Sequence, residues 1–193
     1  MNTEEKFHKY EQLLREWNSR INLVANSTLD DIKHRHFADS AQLIEFIPKN
    51  AQVIDMGSGA GFPGVVLAIM GYNVVCIESV GKKCRFLKEL KTDLNLNNLA
   101  IINDRVENVI NSIPRIPDAG LVFTARAFAP LTRILNTMLM RKDVQKSKLL
   151  LLKGRQIMGE IIAAKSRYDF EYKLYPSDTG NGFILELDSF HVK

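Results

Sequence analysis

A chain of 193 residues, 46% apolar and 25% charged, is long enough to bury a core and has an ordinary globular composition. No apolar run approaches the roughly 18 residues of a membrane span, and the acidic opening MNTEEKFHKY lacks the basic start and apolar stretch of a secretion signal, so a cytoplasmic protein is expected. The formal charge of +4 favours a polyanionic partner without requiring one.

Phe7, Tyr10, Leu13, Leu14, Trp17 and Ile21 recur at three- and four-residue steps and predict an amphipathic helix. A second helical region follows, with Thr28 as its N-cap, Ile32, Phe37, Leu43, Ile44 and Ile47 as its apolar positions, and Pro48 as its end. Residues 1–48 thus read as a helical extension. From Ala51 the pattern changes. AQVIDM is a strand, GSGAGFPG a turn and VVLAIM a helix. NVVCIE is a strand and KKCRFLKELKTDLN a helix; LAIIN is a strand and RVENVINSI a short helix. GLVFTAR, LTRILNTMLM, SKLLLLKG and RQIMGEIIAAKSR continue the alternation, and FEYKLYP and GFILELD read as two final strands. Alternation of this kind predicts an α/β fold with a mostly parallel seven-stranded sheet. Only residues 177–182 separate the last two strands, too few for a helical crossover, so they should form an antiparallel hairpin. A parallel sheet ending in such a hairpin resembles the class I, Rossmann-like methyltransferase fold, here a single domain over 1–193 with its core at 49–193.

Cys76 and Cys84 make no disulfide framework, and His34 and His36, two residues apart, do not share a helix face. No metal site is readable.

The most informative stretch is VIDMGSGAGFPG. Glycines at 57, 59, 61 and 64 let the backbone leave the strand sharply and approach a ligand, and Pro63 suits the first turn of the helix beyond. Glu78 ends the next strand, where a carboxylate can accept from both ribose hydroxyls of an adenosine. Gly59 through Gly64 also matches the dinucleotide fingerprint. Against a nicotinamide cofactor, the match begins two residues late, and Asp55 at the strand end disfavours a pyrophosphate while suiting a methionyl ammonium. Asp104, Arg105, Val106 and Glu107 follow the third strand, where they can face an adenine or form a D-x-x-E capping box. Arg126 follows the fourth strand and Lys153 the fifth, giving a cationic rim suited to phosphate or an electron-rich base.

These residues resemble the bacterial small-subunit ribosomal RNA guanine-N7 methyltransferase family (RsmG/GidB). The matching pieces are WNSRINLVA at 17–25, RHFADS at 35–40, DMGSGAGFPG at 55–64, ESVGKKCRFL at 78–87, RVE at 105–107, ARAFAP at 125–130 and LLKG at 151–154. Glu78 stands where many relatives carry aspartate. The resemblance implies S-adenosyl-L-methionine as cofactor and methylation of one guanine N7 in 16S ribosomal RNA of the small ribosomal subunit. It also implies that Gly57 and Phe62 line the methionine side, Val106 and Glu107 the adenosine side, and Arg126 the donor or target base. Asp55, Gly59, Gly61 and Glu78 complete the expected donor site.

Guanine N7 carries an in-plane lone pair and no proton, so its methylation needs positioning more than a general base. Arg126 is the expected catalytic residue, and His36, Arg126, Lys153 and Arg155 are the expected RNA contacts. Asn18, Asn22, His36 and Asp39 have an alternative as helix caps or buried polar ties. Trp17, Phe62 and Phe128 are the aromatic candidates for stacking on the base. A small-molecule methyltransferase, or an RNA-binding factor with a vestigial donor site, are the rival readings. A monomer is expected.

Overall fold

The computed structural model describes residues 1–144, 147–180 and 182–193. Helix α1 (Thr3–Asn18) opens on a capping box in which Asn2 and Glu5 exchange side-chain and backbone hydrogen bonds. Its apolar stripe buries Tyr10, Leu13 and Leu14.

The second helical region departs from the predicted regular helix. It runs as a 3₁₀ turn (Asn26–Asp31), a π segment (Lys33–Ala38), a single α turn α2 (Asp39–Ala41) and another 3₁₀ turn (Gln42–Glu45). Thr28 is not the N-cap: it lies inside the first 3₁₀ turn, where its hydroxyl donates to the Ala25 carbonyl. The changing residues per turn carry the inward face away from the 3.6-residue rhythm. Polar His36, Asp39, Ser40 and Gln42 become buried beside Ile32, Phe37 and Leu43, while Ile44 is left exposed.

The core alternates as expected. Its elements are β1 (Gln52–Met56), α3 (Gly64–Ile69), β2 (Asn73–Ile77), α4 (Gly81–Asp93), β3 (Leu99–Ile102) and α5 (Val106–Val109), then β4 (Leu121–Arg126), α6 (Leu131–Leu139), β5 (Ser147–Lys153) and α7 (Ile157–Lys165). The chain closes with β6 (Tyr168–Phe170), β7 (Lys173–Pro176), β8 (Phe183–Leu187) and β9 (Phe190–Val192). The main sheet has seven strands in the order β3-β2-β1-β4-β5-β8-β7, with β8 antiparallel to both neighbours and the others parallel. Val53, Cys76, Val122 and Leu150 face the layer holding α1, α3 and α4, whereas Ile54, Ile77, Phe123 and Leu151 face α5, α6 and α7.

The stretch FEYKLYP is not one strand. Tyr168–Phe170 pairs instead with β9 in a separate two-stranded sheet, and only Lys173–Pro176 joins the main sheet as the hairpin partner of β8. Burial of Tyr168, Phe170 and Phe190 accounts for the break, since all three rings pack into the core on the α6–α7 side. Among the described residues no helix is long and apolar enough to cross a membrane. The carboxyl ends of β1 to β5 open on one rim, where ligands bind in sheets of this type.

Candidate active site

The glycine turn leaves β1 by hooking onto β2: the amides of Gly57 and Ser58 both donate to the Ile77 carbonyl. Asp55 is fully buried beneath this turn, and its Oδ2 accepts from the Gly64 amide at 3.1 Å. A Cβ on Gly64 would come within 2.6 Å of both that oxygen and Cys76 Sγ, so glycine is what lets α3 begin here. Asp55 Oδ1 has no hydrogen-bond partner among the described residues. Burial, more than any neighbour, pushes the Asp55 carboxyl up from 3.8 to about 6. Glu78 closes the turn from β2, with Oε2 accepting from Gly59 N at 2.8 Å and Oε1 from Val80 N at 2.7 Å.

Two cavities share Phe128 as a wall, and the smaller of them opens on Gly57. The smaller, about 220 Å³, is lined by Gly57, Ile77, Ser79, Val106, Glu107 and Phe128, among others. No Asp104–Glu107 capping box forms there. The N-cap of α5 is Arg105, Asp104 Oδ1 accepts from Arg105 N and Asn108 Nδ2, and Glu107 pairs with Arg133 at 3.2 Å. The larger cavity, about 880 Å³, lies between the 23–39 stretch and the ends of β4 and β5; its walls include Arg35, His36, Arg126, Phe128, Lys153 and Phe183. Asp55, Gly59, Gly61, Phe62 and Glu78 line neither cavity. Phe62 is buried instead, with Tyr10 stacked at 5.3 Å, His36 stacked at 4.9 Å and the Arg126 guanidinium 4.6 Å from its ring centroid.

Arg126 is held from several sides. Its Nη2 donates to His36 Nδ1 at 2.9 Å, and its Nη1 reaches the Arg35 carbonyl at 3.3 Å and Asp39 Oδ2 at 3.4 Å. A guanidinium can only donate, so Nδ1 of His36 is unprotonated and Nε2 carries the proton. That proton goes to Thr28 Oγ1 at 2.9 Å, leaving the threonine hydroxyl to bond the Ala25 carbonyl. Burial first, then Arg126, lowers His36 from 6.5 to about 4, which keeps it neutral. Asp39 Oδ1 accepts from Gln42, Ser177 and Thr179. Asn18 likewise ties its loop, accepting from the amides of Leu23 and Val24, whereas Asn22 is exposed.

Lys153 is engaged within the fold: its Nζ bonds the Ala129 carbonyl at 2.8 Å and Glu160 Oε2 at 2.7 Å, and the same Glu160 oxygen accepts from Leu131 N. Arg155 is exposed and reaches the Gly180 carbonyl at 3.5 Å. The structure therefore brings His36 and Arg126 together as a buried pair and leaves Arg155 at the surface. Sequence reasoning missed Glu160, whose clamp on the loop after β4 joins positions far apart in the chain. It also missed Tyr10, whose hydroxyl donates to the Ala60 carbonyl at 2.6 Å from behind the turn.

Asp55 and His36 should oppose each other in acid. Between about pH 4 and 6 the folded protein holds the Asp55 proton that the unfolded chain releases, so this contribution to stability shrinks as pH rises. Between about pH 4 and 6.5 the unfolded chain protonates His36 while the folded protein refuses, so that contribution grows as pH rises. Urea midpoints of the wild type, Asp55→Asn and His36→Gln across this window will separate the two. Relative to wild type, the Asp55→Asn variant should gain stability with rising pH and the His36→Gln variant should lose it; parallel curves would refute the pairing.

The strand order, the antiparallel β8 and the glycine turn facing Glu78 define a Rossmann-like class I S-adenosylmethionine-dependent methyltransferase fold. The crystal structure of MtNAS with MTA and tNA superposes with a TM-score of 0.64 at 14% identity, over 93% of this chain and 69% of that one. The B. subtilis M1A22 tRNA methyltransferase TrmK gives 0.55 at 16% identity, over 77% and 64%. The family model described as rRNA small subunit methyltransferase G matches residues 3–177, and the chain belongs to that family of methyltransferases. Ribosomal RNA small subunit methyltransferase G of Dinoroseobacter shibae is 41% identical over 94% of this chain and 93% of its own. The Orientia tsutsugamushi protein of the same name is 42% identical over 94% and 88%.

Proposed function

We propose that this protein methylates N7 of one guanine in 16S ribosomal RNA of the small subunit, using S-adenosyl-L-methionine, and that it works as a cytoplasmic monomer. The observation that carries the reading is a pair of cavities at the carboxyl ends of the strands that share Phe128, the smaller one opening on Gly57. Gly57, Ser79, Val106 and Glu107 suit an adenosine in the smaller one. Glu78 already accepts two backbone amides, yet a carboxylate has about four acceptor sites, so ribose hydroxyls can add to it. Asp55, Gly61 and Phe62 serve the donor through the shape of the turn. The bound donor supplies a sulfonium methyl group for direct transfer to a lone pair.

The neutral His36, with its Nδ1 already bonded to Arg126, takes no proton, and the N7 lone pair asks for none. What the protein contributes is orientation: Arg126 is fixed on the wall of the larger cavity, and the Lys153–Glu160 clamp fixes the loop beside it. Arg35 and Arg155 face the RNA backbone at the rim, so binding should weaken steeply with salt.

The test is transfer of radiolabelled methyl to deproteinised ribosomal RNA and to intact small subunits from cells lacking this protein, with mapping of the modified base. Label at a single guanine N7 is expected. Donor binding without label on either RNA would move the substrate elsewhere, and absence of donor binding would overturn the reading altogether.

A further inference from the structure

Phe128 is the one described residue that lines both cavities. Its ring lies directly on the glycine turn: a Cβ placed on Gly57 would stand 2.3 Å from Phe128 Cδ2. The residues on either side are anchored by polar contacts, whereas Phe128 is only partly buried and rests against the edge of the core. Before it, Arg126 is bound to His36 and Asp39; after it, the Ala129 carbonyl is bound to Lys153 and Leu131 N to Glu160. Between these two anchors the chain passes through Ala127 at φ 53°, a left-handed conformation disfavoured for alanine. Unfavourable backbone held between fixed points is a common mark of a segment that works by changing shape.

We infer that Phe128 is a movable partition: it covers Gly57 until the donor enters, then turns into the larger cavity and becomes the wall on which the target base stacks. This rests on the methyltransferase reading given above. The ring occupies the side of Gly57 to which a Cβ would point, so a donor that extends from the smaller cavity across that side displaces the ring, and the larger cavity is the open volume beside it. The other aromatic candidates are committed elsewhere. Trp17 packs on Phe86 and donates its Nε1 proton to Glu89, and Phe62 is enclosed by Tyr10, His36 and Arg126. Phe183 lines the larger cavity only. The chemistry favours an aromatic wall, because transfer of a methyl cation equivalent leaves the guanine positively charged, and a ring face attracts charge that develops during the reaction.

The partition predicts effects of opposite sign from one substitution. In Phe128→Ala, S-adenosylmethionine should bind about 3- to 10-fold more tightly by calorimetry, because the occluding state is removed. Methyl transfer to small-subunit RNA should fall roughly 10- to 100-fold in kcat/KM, as expected when a base loses its stacking partner, and Phe128→Tyr should restore most of it. A residue that only supports the fold would weaken both. Should the alanine variant fail to fold, 4-fluorophenylalanine at position 128 reports directly, since its fluorine resonance should move to a new position on donor addition. Unchanged or weaker donor affinity in Phe128→Ala, or a fluorine resonance indifferent to bound donor, would overturn the partition while leaving the enzyme reading intact. A wild type that binds no donor would instead overturn the enzyme reading, and the partition with it.

Discussion

Replacing Arg126 with alanine is expected to cut methyl transfer by roughly 100-fold or more and, in the same variant, to lower folding stability by about 2–4 kcal/mol. The second effect comes from where the side chain sits. Arg126 is 18% exposed and Asp39, its partner, 10%, so removing the guanidinium leaves a nearly buried carboxylate without its cation. His36 loses its donor, and Phe62 loses the cation above its face. Because Asp39 keeps Gln42, Ser177 and Thr179 as donors, the cost should stay below that of stripping a carboxylate completely. Urea unfolding will give the stability change, and labelled transfer well below the melting range will give the activity. Asp39→Ala should account for much of the stability loss on its own, and the double variant should cost less than the sum of the two. Additive losses would show that the two side chains do not act as a pair.

Gly61→Ala should damage both fold and site, costing roughly 2–5 kcal/mol from backbone strain and steric conflict together. Gly61 sits at φ 93°, and an added Cβ would lie 2.6 Å from both the Tyr10 hydroxyl and Val65 Cγ2. Relief would have to push α1 away from the turn and break the Tyr10 bond to the Ala60 carbonyl. Donor binding should be lost with it. Gly59→Ala is the informative control: φ is also positive, at 54°, but the nearest atom to its added Cβ is 3.8 Å away. That variant should lose only the conformational term, about 1–2 kcal/mol. Thermal melts and donor calorimetry on the two variants will decide it; equal losses would mean that packing of α1 against the turn contributes nothing.

The parts of this fold that could be read in the sequence are those fixed by local pattern. Runs such as VID, VVC and LLLL announce strands buried on both faces, and the short span before Gly182 announces a hairpin. What escaped was set by contacts between distant positions. Nothing in the local rhythm of FEYKLYP shows that Phe170 will leave the main sheet to pair with Phe190, with Tyr168 just before it. Thr28 looks like a cap because it precedes an apolar rhythm, yet its hydroxyl serves His36 in a segment whose turns widen and tighten. The site divides the same way. The glycines and Glu78 lie where the strand-to-turn pattern puts them. Arg126 and Lys153 read as a cationic rim in sequence and His36 as an RNA contact, whereas the fold pairs His36 with Arg126 and gives Lys153 to Glu160.

The wall of the larger cavity is joined by side chains 135 to 140 positions apart, from Asp39 and Gln42 to Ser177 and Thr179. A ribosome delivers the chain from its amino end, so the first partners in this knot wait for the last until the intervening residues have all been made. The glycine turn and the first strands are made early, while this wall closes only when residue 179 is free to fold back. An unfinished chain therefore carries the glycine turn before it can close the far wall of the larger cavity, and the two ends of the described fold are joined late rather than early.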